Sequence, residues 1–265
     1  MNDTLLHHRA EGPATAPPLL LAPSLGTSTA LWDGVAPGLS TIHRVVRWDL
    51  PGHGGSAASL IGPGASVADL AARILDLADS LGIDRFRYAG VSLGGAVGLW
   101  LAAHHPERVE SLAVVCSSAH FGDAAPWRER AALVRREGTA PVAATAASRW
   151  FTPAFTSPRL LDDLRAADRQ AYAACCDALA AYDVRPHLGA VCAPTLVVAG
   201  RDDPTTPPGH ARELADAVPG ATLTELAHAA HLAPAERPAA VLAALRAHFI
   251  GDAGDGTVAL PDPSL

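Results

Sequence analysis

Apolar residues along this chain gather in two alternating rhythms. One is a short unbroken run. The other recurs every three or four positions, the spacing of a helix face. Leu19-Leu20-Leu21-Ala22 is a run of the first kind, suited to a strand buried on both faces. Arg44–Trp48, Arg85–Ala89 and Val109–Ser117 repeat it, and Leu5–Arg9 reads as an edge strand stopped by Glu11-Gly12-Pro13. Val67, Leu70, Ala71, Ile74, Leu77, Ala78 and Leu81 trace one face of a helix. Ser66 is placed to cap it with Asp69 three residues on, and Gly82 closes it. Gly95–Ala103 holds no breaker besides glycine and predicts a second, buried helix. The order strand, loop, strand, helix, strand, helix, strand is that of a parallel sheet covered by helices.

The rhythm changes after Phe121. Up to Leu188 no convincing strand occurs, and Arg128–Glu137, Val142–Trp150, Leu160–Ala167 and Gln170–Tyr182 read as short helices punctuated by Pro141, Pro153 and Pro158. Thr195–Gly200 resumes the sheet, followed by a helix over Gly209–Val218, a strand over Thr222–Leu226 and a closing helix over Arg237–Phe249. The expected organisation is an α/β core over 1–120 and 189–250, interrupted by a helical lid over 121–188. The remainder, 251–265, is rich in Gly, Asp and Pro and reads as a disordered tail or linker.

Composition narrows the function classes. The 265 residues are 49% hydrophobic, enough for one large core. A net charge of −7 argues against a nucleic-acid binder and offers no basic patch to an anionic membrane. No apolar stretch reaches the length of a membrane span, and Met1-Asn2-Asp3 does not begin a signal peptide. Cys116, Cys175, Cys176 and Cys192 lack metal-like spacing, and adjacent Cys175 and Cys176 are poorly placed to pair, which suits a reducing cytoplasm. Lysine is absent while alanine, arginine and proline abound, a pattern of coding bias.

The chemistry centres on Gly90-Val91-Ser92-Leu93-Gly94, between a predicted strand and a predicted helix. A serine on so tight a turn needs small residues two positions to either side, and the helix N-terminus behind it favours developing negative charge. A serine hydroxyl is a weak nucleophile at neutral pH and needs a base within reach and a carboxylate that orients the base. Asp203 follows the strand Thr195–Gly200 by three residues, and His231 follows the strand Thr222–Leu226. Both loops fall on the sheet edge that carries the serine turn. Asp202 is the rival acid, with a solvated loop charge as its alternative role. His228 forms His-x-x-His with His231, but no helical carboxylate accompanies it, so the spacing gives little reason to expect a metal. His53 fits a role in holding its own loop, His104 and His105 suit a helix C-terminus, and His7-His8 reads as solvated strand decoration. An oxyanion needs two amide donors. One is expected from Leu93, the other from the loop after Leu19–Ala22, with Leu25 first and Ser24 next.

Taken together, the serine turn, Asp203, His231, the loop Pro51-Gly52-His53-Gly54 and the helical insertion resemble the α/β-hydrolase fold from about Leu19 to Phe249. A narrower resemblance is to the 3-oxoadipate enol-lactonases. It rests on Ser24-Leu25-Gly26-Thr27 with Trp32-Asp33, on Arg149-Trp150-Phe151-Thr152-Pro153 and on Tyr172-Ala173-Ala174-Cys175-Cys176. Pro194-Thr195-Leu196-Val197 and Asp203-Pro204 with Thr206-Pro207-Pro208 fit as well but are shared more widely. Leu93 stands where such enzymes often carry methionine, and Pro23-Ser24 where many hydrolases carry a histidine-glycine pair.

The resemblance implies hydrolysis of a carboxylate-bearing enol-lactone without cofactor or metal, in the breakdown of aromatic acids. It also makes a carboxymuconolactone decarboxylase a possible fusion or association partner. A substrate carboxylate in an acidic protein calls for local cations, and Arg149 and Arg128 are the expected anchors, with Trp150 covering the ring and Ser24 nearby. Other readings are a carbon–carbon bond hydrolase, an esterase, a cofactor-free perhydrolase, or a binding protein on the same fold.

Overall fold

The computed structural model describes residues 4–251. The tail expected over 251–265 therefore lies, beyond Gly251 itself, outside the described residues. Seven strands form one sheet, β1 (His8–Glu11), β2 (Pro18–Ala22), β3 (Arg44–Trp48), β4 (Phe86–Val91), β5 (Val109–Val115), β6 (Thr195–Gly200) and β7 (Thr222–Leu226). They lie in the order β1-β3-β2-β4-β5-β6-β7, and every neighbouring pair is parallel except β1 with β3. Every residue of β4 and β6 is buried, as expected for strands with helices on both faces. Arg87 is carried inside by this rule and is met by Glu110 at 3.1 Å.

Helices surround the sheet. The single turn α1 (Ala36–Leu39) precedes α2 (Val67–Ser80) and α3 (Leu93–His104). Ser66 and Asp69 form the expected reciprocal cap on α2, with Ser66 Oγ accepting the Asp69 N–H at 3.2 Å and Asp69 accepting the Ser66 N–H at 2.8 Å. Between β5 and β6 the chain carries α4 (Ala124–Glu137), α5 (Ala140–Ala143), α6 (Ala146–Trp150), α7 (Pro158–Ala166) and α8 (Arg169–Ala181). After β6 come α9 (Pro208–Ala217), α10 (Ala233–Glu236) and α11 (Pro238–Gly251).

Two local expectations change. The edge strand begins at His8 rather than Leu5, because the His7 backbone and ring are engaged elsewhere. The His7 N–H donates to Ser56 Oγ at 2.9 Å, its carbonyl accepts from Asp49 N–H at 2.9 Å, and its ring meets Asp49 at 2.7 Å. His7 is thus a loop clasp and not solvated decoration. The helix expected over Val142–Trp150 is broken into α5 and α6, and the Arg149 guanidinium crosses the break to donate to the Val142 carbonyl at 3.2 Å.

Candidate active site

The C-terminal edge of the parallel sheet carries Ser92, Asp203 and His231, each after a different strand. Ser92 joins β4 to α3 with φ +55° and ψ −116°, a conformation costing a non-glycine residue on the order of 1–3 kcal/mol unless its surroundings enforce it. They do. The Ser92 N–H donates to the Val115 carbonyl at 3.0 Å, and its own carbonyl accepts the Ser117 hydroxyl at 2.7 Å. Gly90 and Gly94 permit the turn. A Cβ on Gly90 would stand 2.3 Å from the Gly94 carbonyl, and one on Gly94 2.6 Å from the Pro23 carbonyl. Leu93 is the first residue of α3, so its N–H has no intrahelical partner.

Asp203 and His231, in the loops after β6 and β7, meet each other. His231 Nδ1 lies 2.8 Å from Asp203 Oδ2, and both side chains are buried. Asp203 Oδ1 accepts the N–H groups of Thr205 and Thr206 at 2.7 and 3.0 Å, and the Thr206 hydroxyl donates to Oδ2 at 2.7 Å. Burial alone would raise the Asp203 carboxyl. The charge and hydrogen bond of His231, with those from Thr206, outweigh it and hold the group below its usual value. Asp202 is exposed, and among the described residues only its backbone is engaged, donating to the Ala229 carbonyl at 3.0 Å. His228 sits in the turn before His231 with φ +56°. No cluster of metal-binding side chains occurs among the described residues.

The loop after β2 is fixed by its own bonds. The Ser24 carbonyl accepts both the N–H and the hydroxyl of Thr27 at 3.0 and 2.8 Å, and the Trp32 indole donates to the Ala22 carbonyl at 3.0 Å. Ser24 and Leu25 from this loop, Ser92 and His231 line one cavity of about 260 Å³. His53 lies outside that lining, with its Nδ1 2.9 Å from the Pro51 carbonyl, in keeping with a loop-holding role.

The insertion supplies the facing lining, including Trp127, Arg130, Arg149, Trp150 and Tyr172. Arg149 and Trp150 stand where the sequence put them. Arg128 does not. It is exposed and absent from the lining, and Arg130 takes the place expected of it. The two arginines lie two residues apart on α4, and a helix turns by about 200° over that step. The signal was available: Trp127, Arg130, Ala131 and Val134 share the i, i+3, i+4, i+7 face that packs inward, with Ala131 and Val134 fully buried. The Arg130 guanidinium stacks on Trp127, 4.6 Å from the ring centroid. Burial, reinforced by the charge of Arg130, pushes the Arg149 guanidinium below its usual value. Among the described residues neither arginine has a carboxylate within 4 Å. Burial raises the Tyr172 hydroxyl well above its usual value, so it stays protonated as a donor. The cavity therefore combines a serine hydroxyl, an oriented imidazole and two cations without a counter-ion among the described residues.

Known proteins show the same arrangement of chain. Residues 17–136 match the family described as the alpha/beta hydrolase fold, and residues 164–252 one described as TAP-like protein. The chain is 37% identical over 244 residues to 3-oxoadipate enol-lactonase 2 of Acinetobacter baylyi, with 90% of each chain covered. It is 34% identical to a putative carbamate hydrolase, RutD, of Variovorax paradoxus, over 85% of this chain and 89% of that one. The crystal structure of the enol-lactonase from Burkholderia xenovorans superposes with a TM-score of 0.88 at 34% identity, over 92% of this chain and 96% of the other.

Proposed function

The chain belongs to the α/β-hydrolase family, and we propose that within it the protein hydrolyses 3-oxoadipate enol-lactone to 3-oxoadipate, using Ser92, His231 and Asp203. The observation that carries this reading is the pair Arg130 and Arg149, without a carboxylate partner among the described residues, in the cavity that also holds Ser92 and His231. Two part-buried cations favour a substrate that brings its own anion, because a desolvated charge without a partner costs several kcal/mol. The enol-lactone carries a carboxylate beside its ring. The likeness to the enol-lactonases of Acinetobacter baylyi and Burkholderia xenovorans supports the same choice.

The steps proposed start from the His231–Asp203 pair and the cavity it shares with Ser92. With Nδ1–H donated to Asp203, the imidazole lone pair of His231 lies on Nε2, the atom that takes the Ser92 proton. The Ser92 oxygen attacks the lactone carbonyl, and the oxyanion draws on the N–H groups of Leu93 and Leu25. The ring C–O bond breaks and the enolate leaves, taking the proton from His231. Water, activated by His231, then cleaves the acyl-enzyme, and the enol tautomerises to the ketone. Arg130 and Arg149 grip the carboxylate while Trp150 covers the ring.

The test is loss of the enol-lactone absorbance with purified protein, with Ser92→Ala as control. Turnover that disappears in the variant is the expected result. Turnover of a simple carbamate with none of the lactone would move the assignment toward the chemistry named for RutD. Turnover of neutral esters alone would move it toward a general esterase.

A further inference from the structure

The histidine loop and the insertion are tied together, and two of the ties converge on one carboxylate. Glu236 lies in α10, in the short segment between His231 and α11. Its Oε2 accepts the N–H of Ala230, the residue before His231, at 2.9 Å. Its Oε1 accepts the Thr152 N–H at 3.2 Å and also the Thr152 hydroxyl. Thr152 follows Trp150 by two residues, on the strap that carries Arg149 and Trp150 into the cavity wall. Two further bonds flank these. The Leu232 N–H donates to the Trp150 carbonyl at 3.1 Å, and the Thr205 hydroxyl donates to the Arg149 carbonyl at 3.3 Å.

The chemistry of Glu236 is unusual for an acidic side chain near a surface. Its partners are backbone N–H groups and a hydroxyl, and among the described residues no arginine or histidine forms an ion pair with it. Both segments it joins are irregular, so their amides have no helix or strand ladder to satisfy them. A charged acceptor gathers such donors at short, directional distances and leaves little freedom in the backbone that carries them.

We propose that Glu236 is a positioning residue, whose carboxylate sets the wall bearing Arg149 and Trp150 in register with the loop bearing His231. The grip on the substrate anion and the imidazole then hold a common frame, and loosening one loosens the other. This rests on the hydrolytic reading of Ser92 and His231 given above.

The experiment compares Thr152→Val, Thr152→Ser and Glu236→Ala with the wild-type chain, in two readouts. The first is amide hydrogen exchange in segments 149–153 and 228–232. The second is steady-state hydrolysis of p-nitrophenyl acetate, which is neutral, and of the anionic enol-lactone. Thr152→Val changes only the insertion side of the carboxylate. It should nevertheless speed exchange in 228–232 and lower kcat on the neutral ester by about fivefold, the scale of one lost hydrogen bond. Thr152→Ser keeps the donor and should match the wild type. Glu236→Ala should lower kcat on both substrates by about tenfold or more, and raise KM for the lactone above any rise for the neutral ester, because the Arg149 wall moves as well. Faster exchange confined to 149–153 in Thr152→Val, with neutral-ester kcat within twofold of wild type, overturns the proposal. So does an equal loss in Thr152→Ser. Should Glu236→Ala not fold, the Thr152 pair decides alone. A wild-type protein inactive on both substrates would overturn the hydrolytic reading, and the exchange data would still decide whether Glu236 couples the two segments.

Discussion

The serine turn and the wall of Trp127, Arg130, Arg149 and Trp150 line the same cavity but are built differently. At the turn the backbone dictates the residues. A Cβ at Gly90 or Gly94 would collide with carbonyl groups at 2.3 and 2.6 Å, and Ser92 is held at φ +55° by bonds to Val115 and Ser117. At the wall the residues are set by which side of a helix faces inward and by what charge the cavity leaves unpaired. Arg128 and Arg130 are interchangeable in composition and opposite in position. A site fixed by steric exclusion tolerates few sequences and announces itself. A site fixed by orientation tolerates many and does not.

The largest effect is expected at the turn. Ser92→Ala should leave the fold intact and reduce turnover by roughly 10³-fold or more, since triad members act as a unit. Near-wild-type kcat in the folded variant would take Ser92 out of the chemistry. Next in size is the acid. Asp203→Asn should lower kcat by at least about 10²-fold, because the orientation of His231 is lost, while Asp202→Asn should change it by less than about twofold. The reverse ranking of the two kcat values would transfer the role to Asp202.

The wall should give smaller and more selective effects. Arg130→Ala and Arg149→Ala should each raise KM for the enol-lactone by about tenfold, the scale of one charge-assisted contact, and leave p-nitrophenyl acetate hydrolysis nearly unchanged. Arg128→Ala should do neither. Equal losses on charged and neutral substrates would show that the arginines only hold the wall together.

The smallest effect concerns pH and stability. Burial lowers the His53 imidazole from its ordinary value of 6.5, against the opposing pull of the Pro51 carbonyl and Asp49. As pH falls below 6.5 the unfolded chain takes up a proton there before the folded chain does, so stability is lost between that value and the lower folded one. Melting temperature should therefore decline from pH 7 toward pH 5, and His53→Gln should make the decline shallower. His43 and His210 are also lowered, chiefly by burial, so the slope should shrink without vanishing. An unchanged slope in His53→Gln would remove His53 from that loss.

Much of the core was legible because its signals are local. Arg44–Trp48, Thr195–Gly200 and Thr222–Leu226 form strands with the bounds that the apolar runs predict, and the Ser66–Asp69 cap forms as its spacing requires. Single-turn elements such as α1 and α10 carried no periodic signal long enough to read. His7 looked like strand decoration because its partner Asp49 lies far away in sequence. Glu236 was invisible for the same reason, since Thr152 and Ala230 become its neighbours only after the insertion folds over the histidine loop.

Sequence alone was enough for the parallel sheet, the turn that carries Ser92, and the chain order of serine, acidic loop and histidine loop. Each of these follows from chain sterics or from the order of elements along a parallel sheet, and none of the three depends on distant contacts. The tertiary structure decided that Asp203 rather than Asp202 is buried against the histidine, that Arg130 rather than Arg128 enters the cavity, and that Glu236 joins the insertion to the histidine loop. Those choices turn on which face of a loop or helix is desolvated, and desolvation is a property of the assembled layers.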